Sequence, residues 1–235
     1  MSGAREAVLG ALRRSLKRGA DGGAARAAVE GRLRAPARGP VPARARLDHG
    51  ARLRLFEEMA VAQAATVARV ADAAAVPGAV GAYLKGHNLA PRVRLAPDAE
   101  LAAMPWQTHP LLKTATGVAT ADDETSVTCA FAGIAETGTL MLHSGPEGPS
   151  TLNFLPETHI VVLKASQVVG PYEDAWDRLR AVRGADGLPR TVNFITGPSR
   201  TADIEQTIQL GAHGPRRLHI VVVEDIAGDA PGDAP

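Results

Sequence analysis

Cysteine is nearly missing: the 235 residues contain one, Cys129. A lone thiol forms no intrachain disulfide, and one thiolate cannot by itself hold an iron–sulfur cluster or a Cys-based zinc site. Aromatics are scarce too, 3% of the chain, so a core must be assembled from Ala, Val, Leu and Ile. No apolar run approaches the roughly 20 residues needed to span a bilayer. The opening MSGAREAVLGALRRSLKRG is broken by charge before a signal-peptide core could form. A cytoplasmic protein without a membrane segment is the expectation. With 45% hydrophobic and 22% charged residues, the chain has enough apolar surface to bury a core and does not read as disordered over most of its length.

A net charge of +1 conceals an uneven distribution. Residues 1–54 carry thirteen Lys/Arg against four Asp/Glu, a balance of +9, and the rest of the chain carries −8. A basic arm can bind phosphates. This one has no aromatic before Phe56 to stack on a base and no zinc-finger cysteines, so a docking arm is the simpler expectation and a nucleic-acid partner is disfavoured.

Residues 4–17 space Ala7, Val8, Leu12 and Leu16 along one helical face, which could dock on the protein's own body or on another subunit, as in a homo-oligomer. From Gly19 to Gly50 the text is Arg, Ala, Gly and Pro, broken by Pro36, Pro40 and Pro42, and reads as a mostly extended linker. The division expected is an N-terminal helix and basic linker over 1–50, a folded body over 51–226 and a disordered tail over 227–235. Within the body, 51–72 favours one long helix and Val76–His87 a second. Arg92–Ala96, Ser126–Phe131, Thr139–His143, His159–Leu163, Thr191–Ile195 and Leu218–Val223 read as strands, with a short helix opening at Pro97–Glu100 and another at Tyr172–Leu179. Several strands are continuous apolar runs, suited to a sheet covered on both faces. The fold class is therefore α/β, a mainly parallel sheet flanked by helices.

Two stretches carry chemistry. Thr196-Gly197-Pro198-Ser199-Arg200-Thr201 follows a predicted strand, and a glycine turn that exposes N–H groups beside two hydroxyls and a guanidinium can hold a carboxylate or phosphate. A strand-to-helix turn with Asp203 as cap and Gln206 closing the box accounts for the same residues, and the two readings are compatible. The second stretch is the corner Gly133-Ile134-Ala135-Glu136-Thr137-Gly138-Thr139. Glu136 among small residues could act as acid, base or nucleophile, with Thr137, Gly138 and Thr139 beside the substrate; ordinary turn chemistry is the simpler account. If the strands before these two stretches are parallel neighbours, Glu136 and Arg200 share one cleft. His213, in a glycine turn, could line it. The seven histidines show no metal-binding spacing, so no metal is expected, and Cys129 reads as a packed residue.

GIAETGT (133–139), NFLPETHIVV (153–162), TGPSRTADIE (196–205) and GAHGPRRLHIVV (211–222) together resemble the lactate utilization protein C family, whose shared module is the LUD domain. The likeness runs in order from about residue 51 to 223. It implies a fold similar to the NagB/RpiA/CoA-transferase group and a role in bacterial L-lactate oxidation to pyruvate. It also implies two cysteine-rich partner proteins that carry iron–sulfur clusters, this chain having no cofactor of its own. The expectation is a non-redox subunit of that system. The competing readings are a stand-alone enzyme acting on a small anion through Glu136 and Arg200, by analogy with CoA transferases and sugar-phosphate isomerases, and a nucleic-acid regulator using the basic arm.

Overall fold

The computed structural model describes residues 2–16, 23–35, 37–184, 187–201 and 209–225. They fall into two units, Met1–Pro40 and Val41–Pro235. The 227–235 tail and the Asp203/Gln206 cap lie outside the described residues.

In the first unit, α1 spans Ser2–Ser15 and α2 spans Gly23–Arg34. The second helix corrects the expectation of an extended linker. Its stretch is rich in Ala and holds no proline, and Glu30 sits one turn from both Arg26 and Arg34, at 2.8 and 3.7 Å, a spacing that supports helix modestly. Val8, Leu12, Leu16, Val29 and Leu33 are all exposed.

The second unit begins before residue 51. Ala45, in a short 3₁₀ turn, is 5% exposed, and Asp48 caps α3 (His49–Ala62) by accepting from the Ala51 N–H at 2.8 Å. The predicted helix over 51–72 stops at Ala62. Ala64 takes a left-handed φ of 65°, the Ala65 N–H turns back to the Ala60 carbonyl, and Thr66–Val70 become β1. β-branched Thr66, Val67 and Val70 resist helix, and pairing with a distant strand outweighs the local period. The α4 helix (Val76–Gly86) then starts with Pro77 in its first turn, where proline's missing N–H costs nothing.

The remaining strands are β2 (Arg92–Leu95), β3 (Lys113–Thr116), β4 (Thr125–Cys129), β5 (Ala132–Ile134), β6 (Thr139–His143), β7 (Thr158–Lys164), β8 (Val168–Val169), β9 (Val192–Ile195), β10 (Arg200–Thr201), β11 (Gln209–Leu210) and β12 (Arg217–Val223). Between them lie α5 (Ala99–Ala103), α6 (Thr151–Phe154) and α7 (Tyr172–Arg183). Six strands in the order β1-β12-β7-β4-β2-β3 form one sheet in which every pairing is parallel.

Alternation along β12 sends Leu218, Ile220 and Val222 to a core with Leu53 and Phe56 of α3, and Val221 and Val223 to the opposite core with Val76, Val80 and Leu84 of α4. Both faces are thus covered, which explains why β7 and β12 read as unbroken apolar runs.

β9 departs from expectation. It joins a separate four-stranded sheet, β8-β5-β6-β9, antiparallel to β6. Its residues are only partly buried or exposed, so Thr191–Ile195 is an edge strand and not a buried member of the parallel sheet. The corner expected between Phe131 and Thr139 itself contains β5, which forms a hairpin with β6.

The core of the second unit is complete without the first forty residues. Deleting 1–40 is therefore expected to move the melting midpoint by only a few degrees, and a fall above roughly 10 °C would show that the arm supports the core.

Candidate functional site

A cavity of about 420 Å³ opens where the Thr196–Arg200 turn faces the amino-terminal end of the parallel sheet. Thr196, Gly197, Ser199, Arg200 and His213 all line it, which brings together most of the anion-binding residues expected from the sequence. Backbone bonds hold the turn. The Ser199 N–H donates to the Pro215 carbonyl at 2.8 Å, the Gly211 N–H donates to the Ser199 carbonyl at 2.9 Å, and the Ser199 hydroxyl accepts from the His213 N–H at 3.3 Å. Gly197 has φ +72° and lies against the Gln63 carbonyl, where a side chain has no room. Arg200 Nη2 donates to the Gln63 carbonyl and to Gln63 Oε1, at 2.9 and 3.0 Å. The carboxyl end of α3 thereby anchors the guanidinium. Thr201 belongs to β10 and pairs with Gln209.

The second expected segment meets the first at the same helix end. Gly138, at φ +66°, packs on the backbone of Met59 and Ala60. Thr139 begins β6 and Thr196 follows β9; because these strands run antiparallel, the two residues share one end of the small sheet, and their hydroxyls lie 2.6 Å apart. Thr137 and Tyr172 complete a network of four hydroxyls, with Thr137 2.7 Å from Thr139 and the Tyr172 hydroxyl 2.9 Å from both.

Glu136 is placed differently. It is half-buried, its N–H donates to the Gly170 carbonyl at 3.1 Å, and it is not among the residues that line the cavity. The premise for a shared Glu136–Arg200 cleft was that their preceding strands are parallel neighbours. That premise fails, because β4 and β9 belong to different sheets.

The cavity floor contains residues that the sequence reading passed over. His159, second residue of β7, is 0% exposed and lines the cavity with Asn153, which is 4% exposed. His159 Nε2 lies 2.8 Å from the Thr128 hydroxyl, while Nδ1 is buried with no hydrogen-bond partner among the described residues. Burial pushes the imidazole pKa down to about 3, so the ring is neutral at any physiological pH. The signal available in the sequence was one polar residue inside the run HIVVL. A singly placed histidine without metal spacing concealed it.

A smaller cavity of about 180 Å³ lies at the carboxyl ends of β2 and β4, lined by Asp98, Glu100, Cys129, His143 and Glu147 among others. Burial and the nearby Asp98 and Glu100 carboxylates raise the Cys129 thiol pKa far above its usual value, so it stays protonated and unreactive. Among the described residues no three His, Cys, Asp or Glu side chains are placed to hold a metal ion. Together with the single cysteine, this inventory does not fit an iron–sulfur cluster. Among the described residues no helix is long and apolar enough to cross a membrane.

Comparison with known proteins agrees with this architecture. Residues 53–223 match the sequence profile of the LUD domain. An uncharacterized protein of Neisseria meningitidis serogroup B is 44% identical over 91 residues, 39% of this chain and 38% of that protein. Lactate utilization protein C of Geobacillus thermodenitrificans is 39% identical over 109 residues, 45% of each chain. The protein of that name from Exiguobacterium is 38% identical over 102 residues, 43% of this chain and 44% of that one. The aligned segments thus span less than half the length of these curated relatives. The crystal structure of a DUF162 family protein from Deinococcus radiodurans superposes with a TM-score of 0.57 at 26% identity, covering 75% of this chain and 99% of that one. The α/β fold with its parallel sheet is that of the NagB/RpiA type.

Proposed function

This chain belongs to the LUD domain family, and from that premise we propose that it serves bacterial L-lactate oxidation to pyruvate as the subunit without a redox centre, beside cysteine-rich iron–sulfur proteins. The observation that carries the reading is the likeness to lactate utilization protein C of Geobacillus thermodenitrificans and Exiguobacterium, at 39% and 38% identity. The single cysteine supports the non-redox role, since one thiolate cannot hold an iron–sulfur cluster that would receive electrons from lactate. Its own contribution is to hold a small carboxylate at the turn of Thr196, Gly197, Ser199 and Arg200.

Co-expressed with cysteine-rich iron–sulfur proteins of a lactate utilization system, the tagged chain is expected to retain them through gel filtration. Lactate-dependent reduction of an electron acceptor by the mixture should require it. Undiminished lactate oxidation by the other proteins alone would overturn the reading. Purified by itself, the chain should be colourless and free of stoichiometric iron.

Arg200→Lys tests the anion site. Lysine keeps the charge but loses the planar fork and the paired donation to Gln63. Carboxylate affinity, measured by calorimetry, should fall by roughly 1 to 3 kcal/mol, as for other charge-assisted hydrogen bonds. The urea midpoint should hardly move, because the side chain is exposed.

A further inference from the structure

We infer that a further cavity, beside the carboxyl-terminal half of α4, binds a small amphipathic anion with a medium-length apolar chain and a single anionic head group. It shares no lining residue with the cavity at the Thr196–Arg200 turn.

This cavity holds about 490 Å³, more than either cavity described above. Its wall is mostly apolar, formed by Leu84, Leu89, Pro91, Pro110, Leu111 and Leu112. Leu84 and Leu112, 1% and 7% exposed, belong to the core that packs on β2, whereas Leu111 is 82% exposed and leaves its side chain in water. Backbone bonds fix the opposite wall. The Lys113 N–H donates to the Pro91 carbonyl at 2.8 Å and the Leu112 N–H to the His109 carbonyl at 2.9 Å. With two prolines that fix their own φ, the cavity is preformed, so a ligand entering it loses little affinity to reordering.

Gly81 keeps room on the helical side. Its spacing from Leu84 and Lys85 puts all three on one face of α4, and all three line the cavity. A Cβ at Gly81 meets nothing within 4 Å. Glycine inside a helix is less stable than alanine, yet here it leaves open space next to an apolar wall.

Charge decides the head group. Residues 73–97 and 101–121, which supply the whole lining, contain four Lys/Arg and no Asp or Glu, although residues 55–235 together carry −8. Arg92 and Arg94 are taken by Glu124 and Asp123, and Lys113 Nζ donates to the Pro110 carbonyl. Lys85 lines the cavity and has no ion pair among the described residues; His109 stands with it in the lining. An unpaired ammonium at an apolar wall without a carboxylate attracts one anionic head and repels a cation, while the leucines and prolines take the chain.

Calorimetric titration of the full chain with octanoate, octylammonium and acetate tests the assignment. Octanoate is expected to bind at least about tenfold more tightly than either, and each methylene removed from it should weaken binding about fourfold. Gly81→Leu fills the cavity at a helical position that favours leucine over glycine. It should weaken octanoate at least about tenfold without lowering the melting midpoint or changing acetate affinity. Lys85→Gln should weaken octanoate about tenfold and leave neutral octanol unaffected. Should a variant not fold, methyl spectra of the unaltered protein give a second readout: octanoate should shift Leu111 and Leu112, and acetate should not. Octylammonium binding as tightly as octanoate, or octanoate binding indifferent to both substitutions, would overturn the inference. So would a chain that ignores octanoate and instead covers this face with a second copy or with phosphatidylglycerol vesicles.

Discussion

Between pH 6.5 and pH 4 the folded body is expected to lose stability on the order of 5 kcal/mol. His159 and His219 are the cause. His219 is 5% exposed, stacks on Tyr83 with ring centroids 4.0 Å apart, and has Nδ1 2.8 Å from the Thr66 hydroxyl. Burial, with His87 nearby, lowers its pKa to about 4, and burial alone lowers that of His159 to about 3. In the unfolded chain both titrate near 6.5. Below that pH the unfolded state takes up protons that the folded state refuses, so stability falls as pH falls, by up to about 1.4 kcal/mol per histidine per pH unit. The contribution is fully present above pH 6.5 and is exhausted once the folded pKa values are passed.

Urea midpoints at pH 7, 6, 5 and 4 should trace this decline, and His219→Gln should flatten its share of it. A constant midpoint down to pH 5 would show that the rings accept protons without unfolding. Asp123 and Asp225 have lowered pKa values, despite their desolvation, because they accept hydrogen bonds from Arg94 and Thr120, and from Ser166, respectively. Their stabilisation is lost only below the ordinary carboxylate pKa, in a more acidic window than the onset of the histidine effect.

Gly138→Ala is expected to cost about 2 to 5 kcal/mol, the sum of a left-handed φ forced on a side-chain-bearing residue and overlap in a packed region. The added methyl would strike backbone atoms of Met59 and Ala60, and backbone in the last turn of α3 cannot rotate away. At 2 to 4 °C per kcal/mol the melting midpoint should fall by roughly 10 °C. Gly145→Ala is the control, since a methyl there meets nothing within 4 Å. Equal midpoints for the two variants would mean that α3 and the 135–138 corner separate easily. The Gly138 variant should also weaken carboxylate binding, because the residue lies between Thr137 and Thr139 of the hydroxyl network next to Thr196.

Much of the fold was legible in residues that face a core on every side. β7 and β12 are apolar runs because α3 and α4 cover both faces of the sheet they occupy, and α4 and α7 keep a regular helical spacing of apolar residues. The site was legible in part. Gly197 of the Thr196–Arg200 turn marks a close backbone approach that proved to be to Gln63, yet nothing local could identify the partner, 134 residues away from Gly197.

By itself the sequence determined the α/β class, the absence of a cluster-binding cysteine set and the turn chemistry at 196–200, because each follows from residue type or from spacing within one segment. Only the tertiary structure decided which segments meet. Thr66–Val70 is a strand because β12 accepts it in register. β9 lies beside β6 instead of beside β4, which brings Thr139 to Thr196 and leaves Glu136 off the cavity lining. His159 became a candidate only when β4 took up its Nε2 and left Nδ1 buried without a partner. Strand neighbours and buried hydrogen bonds are long-range choices among competing pairings, and a window of local periodicity holds no information about them.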